Sequence, residues 1–387
     1  MAAPQGRPPE LAQVFRAHAP PLEQLGPDRR RVVRDVLQCR TPALGGHVQV
    51  CDRCGRQKPF YNSCRNRHCP KCQGLEQARW VEAQSRSLLP VEYFHLVFTV
   101  PEALHPFFLL DRRGGYSLLF EAALGALHAV CQRRLRATPG TIAVLHTWSQ
   151  TLTFHPHIHC IVTGGGLDAT RQHWIRARPG FLIPVRILSR VFRGKLLQSL
   201  ERALHSGGSG LGISLGRRLL QQAAAKEWVV YSKAPMAGPQ QVLRYLSRYT
   251  HRIAIGNERL LALQDGTVTF RYRDRRRGNA SRLMTLGARE FVRRFLLHVL
   301  PRGFVRVRHF GLQANCRRRQ LITHARQLLH QPAPPAAPPP PRESWQDLFR
   351  RLTGRDPLRC PFCEEGTLRI VSLIPASIPP PLCVRGP

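Results

Sequence analysis

Apolar positions follow two rhythms along this chain. Leu22–Leu37 and Tyr116–Arg136 repeat them at helical spacing, the second with Leu119, Ala123, Leu127 and Val130 on one face, so both segments predict helices. Tyr93–Val100 predicts a strand ended by Pro101; Thr141–Thr147 and Ile158–Thr163 predict two more, the latter closed by Gly164-Gly165-Gly166. Gln240–Thr250 reads as a helix opened by Pro239. Three short strands follow: Arg252–Ile255, a Gly256-Asn257 turn, Leu260–Leu263, an Asp265-Gly266 turn, then Thr267–Tyr272. Asp-Gly between apolar runs is a strong hairpin signal. The pattern predicts an α+β protein. No apolar run approaches the roughly 20 residues of a membrane span, and the first ten residues lack the apolar core of an export signal.

The order of elements divides the chain into residues 1–88, a helical lead-in and a dense Cys/His stretch; 89–330, a globular unit; 331–342, a proline-rich linker; and 343–387, a short tail.

Charge narrows the function. Among 387 residues, 59 Lys plus Arg oppose 23 Asp plus Glu, a net +36, and only five of the cations are lysines. Such an excess excludes an ordinary enzyme of small neutral metabolites and points to a polyanionic partner. Arginine's planar fork of donors favours phosphate, so the expected partner is nucleic acid. The 43% apolar content is too high for a disordered chain.

Seven of the twelve cysteines lie in CxxC pairs or beside one: Cys51, Cys54, Cys64, Cys69, Cys72, Cys360 and Cys363. Without an export signal, that clustering predicts metal binding in a reducing cytoplasm rather than a disulfide framework. The spacing of Cys51-x-x-Cys54 and Cys69-x-x-Cys72 predicts one closed, structural zinc site made of these four thiolates, with His47, Cys64 and His68 as spare donors. Arg53, Arg56, Arg65, Arg67 and Lys71 flank it and are expected to face phosphates. In the tail, Cys360-Pro-Phe-Cys363 has only Cys383 after it, and three ligands do not close a structural site, so it reads as a partial zinc knuckle.

Two further groups carry chemistry. In Phe154-His155-Pro-His157-Ile-His159, residues two apart on a strand share a face, so His157 and His159 form half of a divalent-metal site. Tyr245 and Tyr249 are one helical turn apart, beside a stripe of Arg244, Arg248 and Arg252. Phenols next to guanidiniums suit nucleophilic attack on a phosphodiester, with a nearby cation favouring the phenolate. A metal held by His157 and His159 would polarise the phosphate, a tyrosine would take it up covalently, and a second tyrosine would allow a second strand transfer.

In these features the chain resembles the rolling-circle HUH transposases of the insertion sequence 91 family. The resemblance rests on Tyr61-Asn-Ser-Cys-Arg-Asn-Arg-His-Cys-Pro-Lys-Cys72, Phe94–Pro101, His155-Pro-His-Ile-His159, Arg248-Tyr-Thr-His-Arg252 and Phe304–Gly311, and so spans nearly the whole chain. It implies an HUH-nuclease-like antiparallel sheet with flanking helices behind a small zinc-binding domain. It also implies a transposase that nicks and joins single-stranded DNA at the ends of its own element, using Mg or Mn and a 5′-phosphotyrosine. Its Arg-Tyr-Thr-His-Arg run favours Tyr249 for the first attack. Such nucleases commonly use a third metal ligand; His146, Gln150, His155 and His251 are candidates, among which the sequence does not choose. The implied location is the bacterial cytoplasm, on the nucleoid. A replication initiator would share this chemistry, although no GxxxxGK[ST] phosphate loop is present to indicate a fused helicase. A non-catalytic zinc-dependent DNA-binding protein, or a zinc hydrolase using His157 and His159, would have no use for the tyrosine pair.

Overall fold

The computed structural model describes residues 8–72, 74–236, 238–239, 241–242, 245, 253–274, 277–330 and 343–377. Arg244, Arg248, Tyr249, His251, Arg252 and Cys383, named above, lie outside the described residues. The strands in chain order are β1 (Gly46–Cys51), β2 (Gln57–Tyr61), β3 (Tyr93–Thr99), β4 (Thr138–Trp148), β5 (Phe154–Leu167), β6 (Trp174–Arg176), β7 (Val230–Met236), β8 (Leu260–Gln264), β9 (Thr267–Asp274), β10 (Ala280–Gly287), β11 (Val307–Gly311) and β12 (Leu368–Ile374). Every strand pair is antiparallel, as expected of the α+β class.

Two compact units share the chain, and they do not follow the linear division. One comprises Trp80–Thr250 with Leu300–Pro334; the other gathers Met1–Arg79, His251–Val299 and Pro335–Pro387. The second is assembled from segments distant in sequence because its sheets and helices find their partners there. Phe15 of the helix Leu11–His18, for example, packs edge-on against Phe295 of the helix Ala288–Leu297, with ring centroids 5.3 Å apart.

The first unit is built on a sheet with strand order β11-β4-β5-β3-β7, to which β6 adds by pairing with β5. β3, β4 and β5 are buried along almost their whole length. The helix Arg112–Arg134 packs against the helix Val185–His205 and against β4 and β5, and buries Leu119, Phe120, Ala123, Leu127 and Val130. It is long and apolar enough to cross a membrane, but its apolar side is occupied by this core.

The expected closure of a strand by Gly164-Gly165-Gly166 is corrected: β5 runs through them to Leu167. Gly166 lies opposite Pro139, and a Cβ there would come within 2.3 Å of the Thr138 carbonyl oxygen. The glycines therefore permit a close approach of backbones rather than a stop.

In the second unit, Asp265 (φ 48°) and Gly266 (φ 69°) make the expected two-residue hairpin between β8 and β9. The strand expected over 252–255 does not form in its described part, where Ala254 takes φ 64°. β10 in this unit is not among the strands expected from the sequence, nor are β1, β2 and β12 here or β6, β7 and β11 in the first unit. The other sheet of this unit has the order β12-β1-β2, so the tail supplies an edge strand to the N-terminal hairpin.

Candidate active site and cysteine centres

Register alone assembles the histidines of the first unit. His146 of β4 lies opposite His157 of β5, while His159 lies between Val144 of β4 and Val97 of β3. Residues on one face of a sheet alternate by two, which also brings His95, two before Val97, to this face. All four imidazoles are buried. His146, His157 and His159 each offer a ring nitrogen, and these atoms lie within 4.8 Å of one another. Of the histidine candidates for the third ligand, His146 thus joins the pair and His155 does not.

Hydrogen bonds orient the rings. His157 Nδ1 donates to the His155 carbonyl oxygen at 2.6 Å, which makes Nε2 the nitrogen that carries the lone pair. Pro156, between them, favours an extended conformation for His155 and so holds that carbonyl in place. His146 stacks on Trp148 at 4.5 Å, and the buried Arg306 guanidinium lies 6.0 Å from the same indole.

The phenol of Tyr245 completes the cluster. Its Oη is 2.9 Å from His95 Nε2 and 2.9 Å from His159 Nδ1, and these two nitrogens are 2.8 Å apart. Tyr245 is half-buried against Leu88, Tyr93, Ile142, Ile161 and Val242. Sequence reasoning named Tyr245 but missed His95. The available signal was a histidine within an otherwise apolar strand, at a parity that only the β3–β5 register reveals.

The cysteines of the second unit correct the expected zinc site. Cys51, Cys54, Cys69 and Cys72 do not converge. One group is Cys39, Cys64, Cys69 and Cys72; the other is Cys51, Cys54, Cys360 and Cys363. The reason is topological. Cys51 and Cys54 sit at the β1–β2 turn, whereas Cys69 and Cys72 reach back to Cys39 at the C-terminal end of the helix Pro27–Gln38. Cys39 Sγ is 3.3 Å and Cys64 Sγ 3.6 Å from Cys72 Sγ. Sharing of hydrogen bonds, first from Cys39 and then Cys64 and Cys69, drives the Cys72 thiol strongly down. The same crowding, led by Cys39, pushes Cys64 up. Neither spare histidine joins a group: His68 is buried against Asn66 Oδ1 at 3.0 Å, and His47 stacks on Phe60.

Of the flanking cations, Arg65 and Arg67 are exposed, as phosphate contacts require. Lys71 is paired with Glu10 at 2.5 Å, and Arg53 with Glu365.

Comparison with known proteins adds four findings. Residues 10–100 match a family described as a transposase zinc-binding domain, and residues 140–320 one described as "Putative transposase". The chain is 43% identical to "Putative transposase y4qJ" of Sinorhizobium fredii, over 97% of this chain and 98% of that protein. It is 28% identical to the transposase for insertion sequence element IS801 of Pseudomonas savastanoi pv. phaseolicola, over 86% and 80% of the two chains.

Proposed function

Since the chain belongs to the insertion sequence 91 family of transposases, a DNA-acting family with a zinc-binding domain, we propose that it nicks and rejoins single-stranded DNA at the ends of its own element by a rolling-circle route through a tyrosine nucleophile. The observation that carries this reading is the Tyr245 phenol within 2.9 Å of two imidazoles, beside three histidines able to hold a cation.

The residues fit a divalent metal. His146, His157 and His159 would hold it through their ring nitrogens. When bound, the cation supplies polarisation of a phosphate oxygen and leaves positions open for the substrate. His159 Nδ1–H donates to Tyr245 Oη, and Oη–H donates to His95 Nε2, so His95 receives the phenolic proton as the oxygen attacks. The new bond joins Oη to phosphorus; the bond from phosphorus to the departing 3′ oxygen breaks, and that oxygen takes a proton. The DNA 5′-phosphate stays on tyrosine for rejoining. In this reading Tyr245 serves the second of two transfers, and Tyr249, by its family motif, makes the first attack.

Zinc belongs to the N-terminal domain, and Cys39, Cys64, Cys69 and Cys72 are its ligands in this reading, all inside the matched residues 10–100. Arg65, Arg67, Arg244, Arg248 and Arg252 bind the DNA backbone, and affinity falls with salt as counterions are released. Incubation with labelled single-stranded element ends and Mn should give a protein–DNA adduct stable to denaturation. Tyr249→Phe should lose the first adduct, and Tyr245→Phe should nick yet fail at a later strand transfer. An adduct persisting in the double Phe variant would refute the mechanism.

A further inference from the structure

The second cysteine group lies partly outside the matched zinc-binding domain, because Cys360 and Cys363 are some 260 residues beyond it. We propose that Cys51, Cys54, Cys360 and Cys363 bind a second structural zinc ion, which fastens the C-terminal tail to the N-terminal hairpin.

Four independent features support it. The first is spacing. Cys51 Sγ is 3.7 Å from Cys363 Sγ, and Cys54 Sγ is 3.7 Å from Cys360 Sγ. Thiolates about 2.3 Å from a tetrahedral zinc stand about 3.8 Å apart, whereas a disulfide needs about 2.05 Å. The second is backbone geometry. The N–H two residues on donates to the first sulfur of each CxxC: Arg53 to Cys51 at 3.4 Å and Phe362 to Cys360 at 3.5 Å. Cys54 N–H also reaches Cys51 Sγ, and Gly366 N–H reaches Cys363 Sγ, both at 3.4 Å. Each pair is closed by the same turn, with Gly55 N–H bonded to Cys51 O and Glu364 N–H to Cys360 O, both at 3.1 Å. Amide donors aimed at sulfur favour thiolate over thiol.

The third feature is how the two knuckles are locked together. β12 pairs with β1 from Cys51↔Leu368 to Gly46↔Ile374. Asp52 accepts from Thr367 N–H at 2.8 Å and pairs with Arg369 at 3.4 Å, while Arg56 lies over the Phe362 ring at 5.2 Å. Gly366 sits so close to Cys51 Sγ that no Cβ could be accommodated.

The fourth is what the tail lacks. Its strand exposes Ile370 (60%), Val371 (57%) and Leu373 (81%), and the apolar cluster around the junction is small: Cys51, Cys360 and Leu368, with half-buried Phe60 and Cys363 packed against them. A strand that buries so little apolar surface gains little from the hydrophobic effect, and a structural metal supplies what a small core does not.

Metal analysis of the full-length protein after exhaustive dialysis tests this without reference to DNA cleavage. Wild type should hold two zinc ions per chain, one for each cysteine group. Cys360→Ser with Cys363→Ser should leave one. One zinc in wild type, two in that variant, or Cys51 and Cys54 found disulfide-linked to the tail by non-reducing mass spectrometry would each overturn the proposal. A second measurement does not depend on the variant folding. With a protease site placed in the 331–342 linker of the wild-type sequence, the cut tail should co-elute with the N-terminal fragment and separate on chelation. Separation before chelation would equally overturn it. The nuclease reading stands or falls on the adduct assay alone.

Discussion

The histidine face and the cysteine centres both gather metal-binding side chains, but by opposite means. The histidines are held by strand register: His146, His157, His159 and His95 are placed by three adjacent strands buried along nearly their full length. The site exists because the sheet does. Around the cysteine centres the order is reversed: thiols drawn from residues 39 to 363 are gathered by turns and strand ends, and the apolar cluster where Cys51 meets Cys360 is small. There the ligands do the work that a core does elsewhere. A preformed site loses chemistry when a ligand is changed; a ligand-built domain loses structure.

The largest effect should therefore come from zinc removal. Structural zinc contributes about 10 kcal/mol or more to such domains, so chelation should abolish amide-exchange protection in β1 and β2. Protection in β3, β4 and β5 should persist. Equal loss in both sets would break the comparison. Next, His157→Ala and His159→Ala should each lower nicking by about 100- to 1000-fold, the scale for losing one charge-stabilising group. DNA affinity and thermal stability should stay close to wild type; a large loss of folding would mean that the histidines, too, support their own fold.

A smaller change is expected of His95→Gln, which disturbs the partner of His159 and Tyr245 while leaving the three ligands in place. The expected cost is about 10- to 100-fold in rate or metal affinity. Its pH–rate profile should lose the limb that reports the proton acceptor, which a merely structural role would not alter. The smallest effect concerns His309 on β11, whose ring meets Gln84 Oε1 at 3.1 Å and whose pKa is lowered from 6.5 to about 4 by burial and Arg318. Above pH 6.5 it is neutral in both folded and unfolded chains. Below that, the unfolded chain takes up a proton that the folded one resists, so stability falls as the pH drops toward 4. His309→Gln should flatten this acid limb slightly in chemical denaturation.

The same contrast explains what was legible in the sequence. Strand parity exposes His157 and His159 from three consecutive letters, and Asp265-Gly266 announces its hairpin, because both depend on local geometry. His95 and His146 required a register, which the letters do not carry. The zinc ligands misled: a CxxC pair shows that two thiols sit on one turn, yet says nothing about which other turn they face. Thus Cys69 and Cys72 find the solitary Cys39, and the tail pair, read as incomplete, sits opposite Cys51 and Cys54. β10 and β11 escape the pattern for a related reason: Arg282 and Arg308 interrupt their short apolar rhythm, and their pairing partners supply the order.

The pairing of β12 with β1 also sets a clock on biosynthesis. Cys51 leaves the ribosome 309 residues before Cys360. At roughly 5–20 residues per second, the N-terminal hairpin waits about 15–60 s for its third strand. Until then one edge of β1 is bare. A chain ended early by a nonsense codon or a stalled ribosome never acquires that strand, so completion of the N-terminal sheet is conditional on translation reaching the tail.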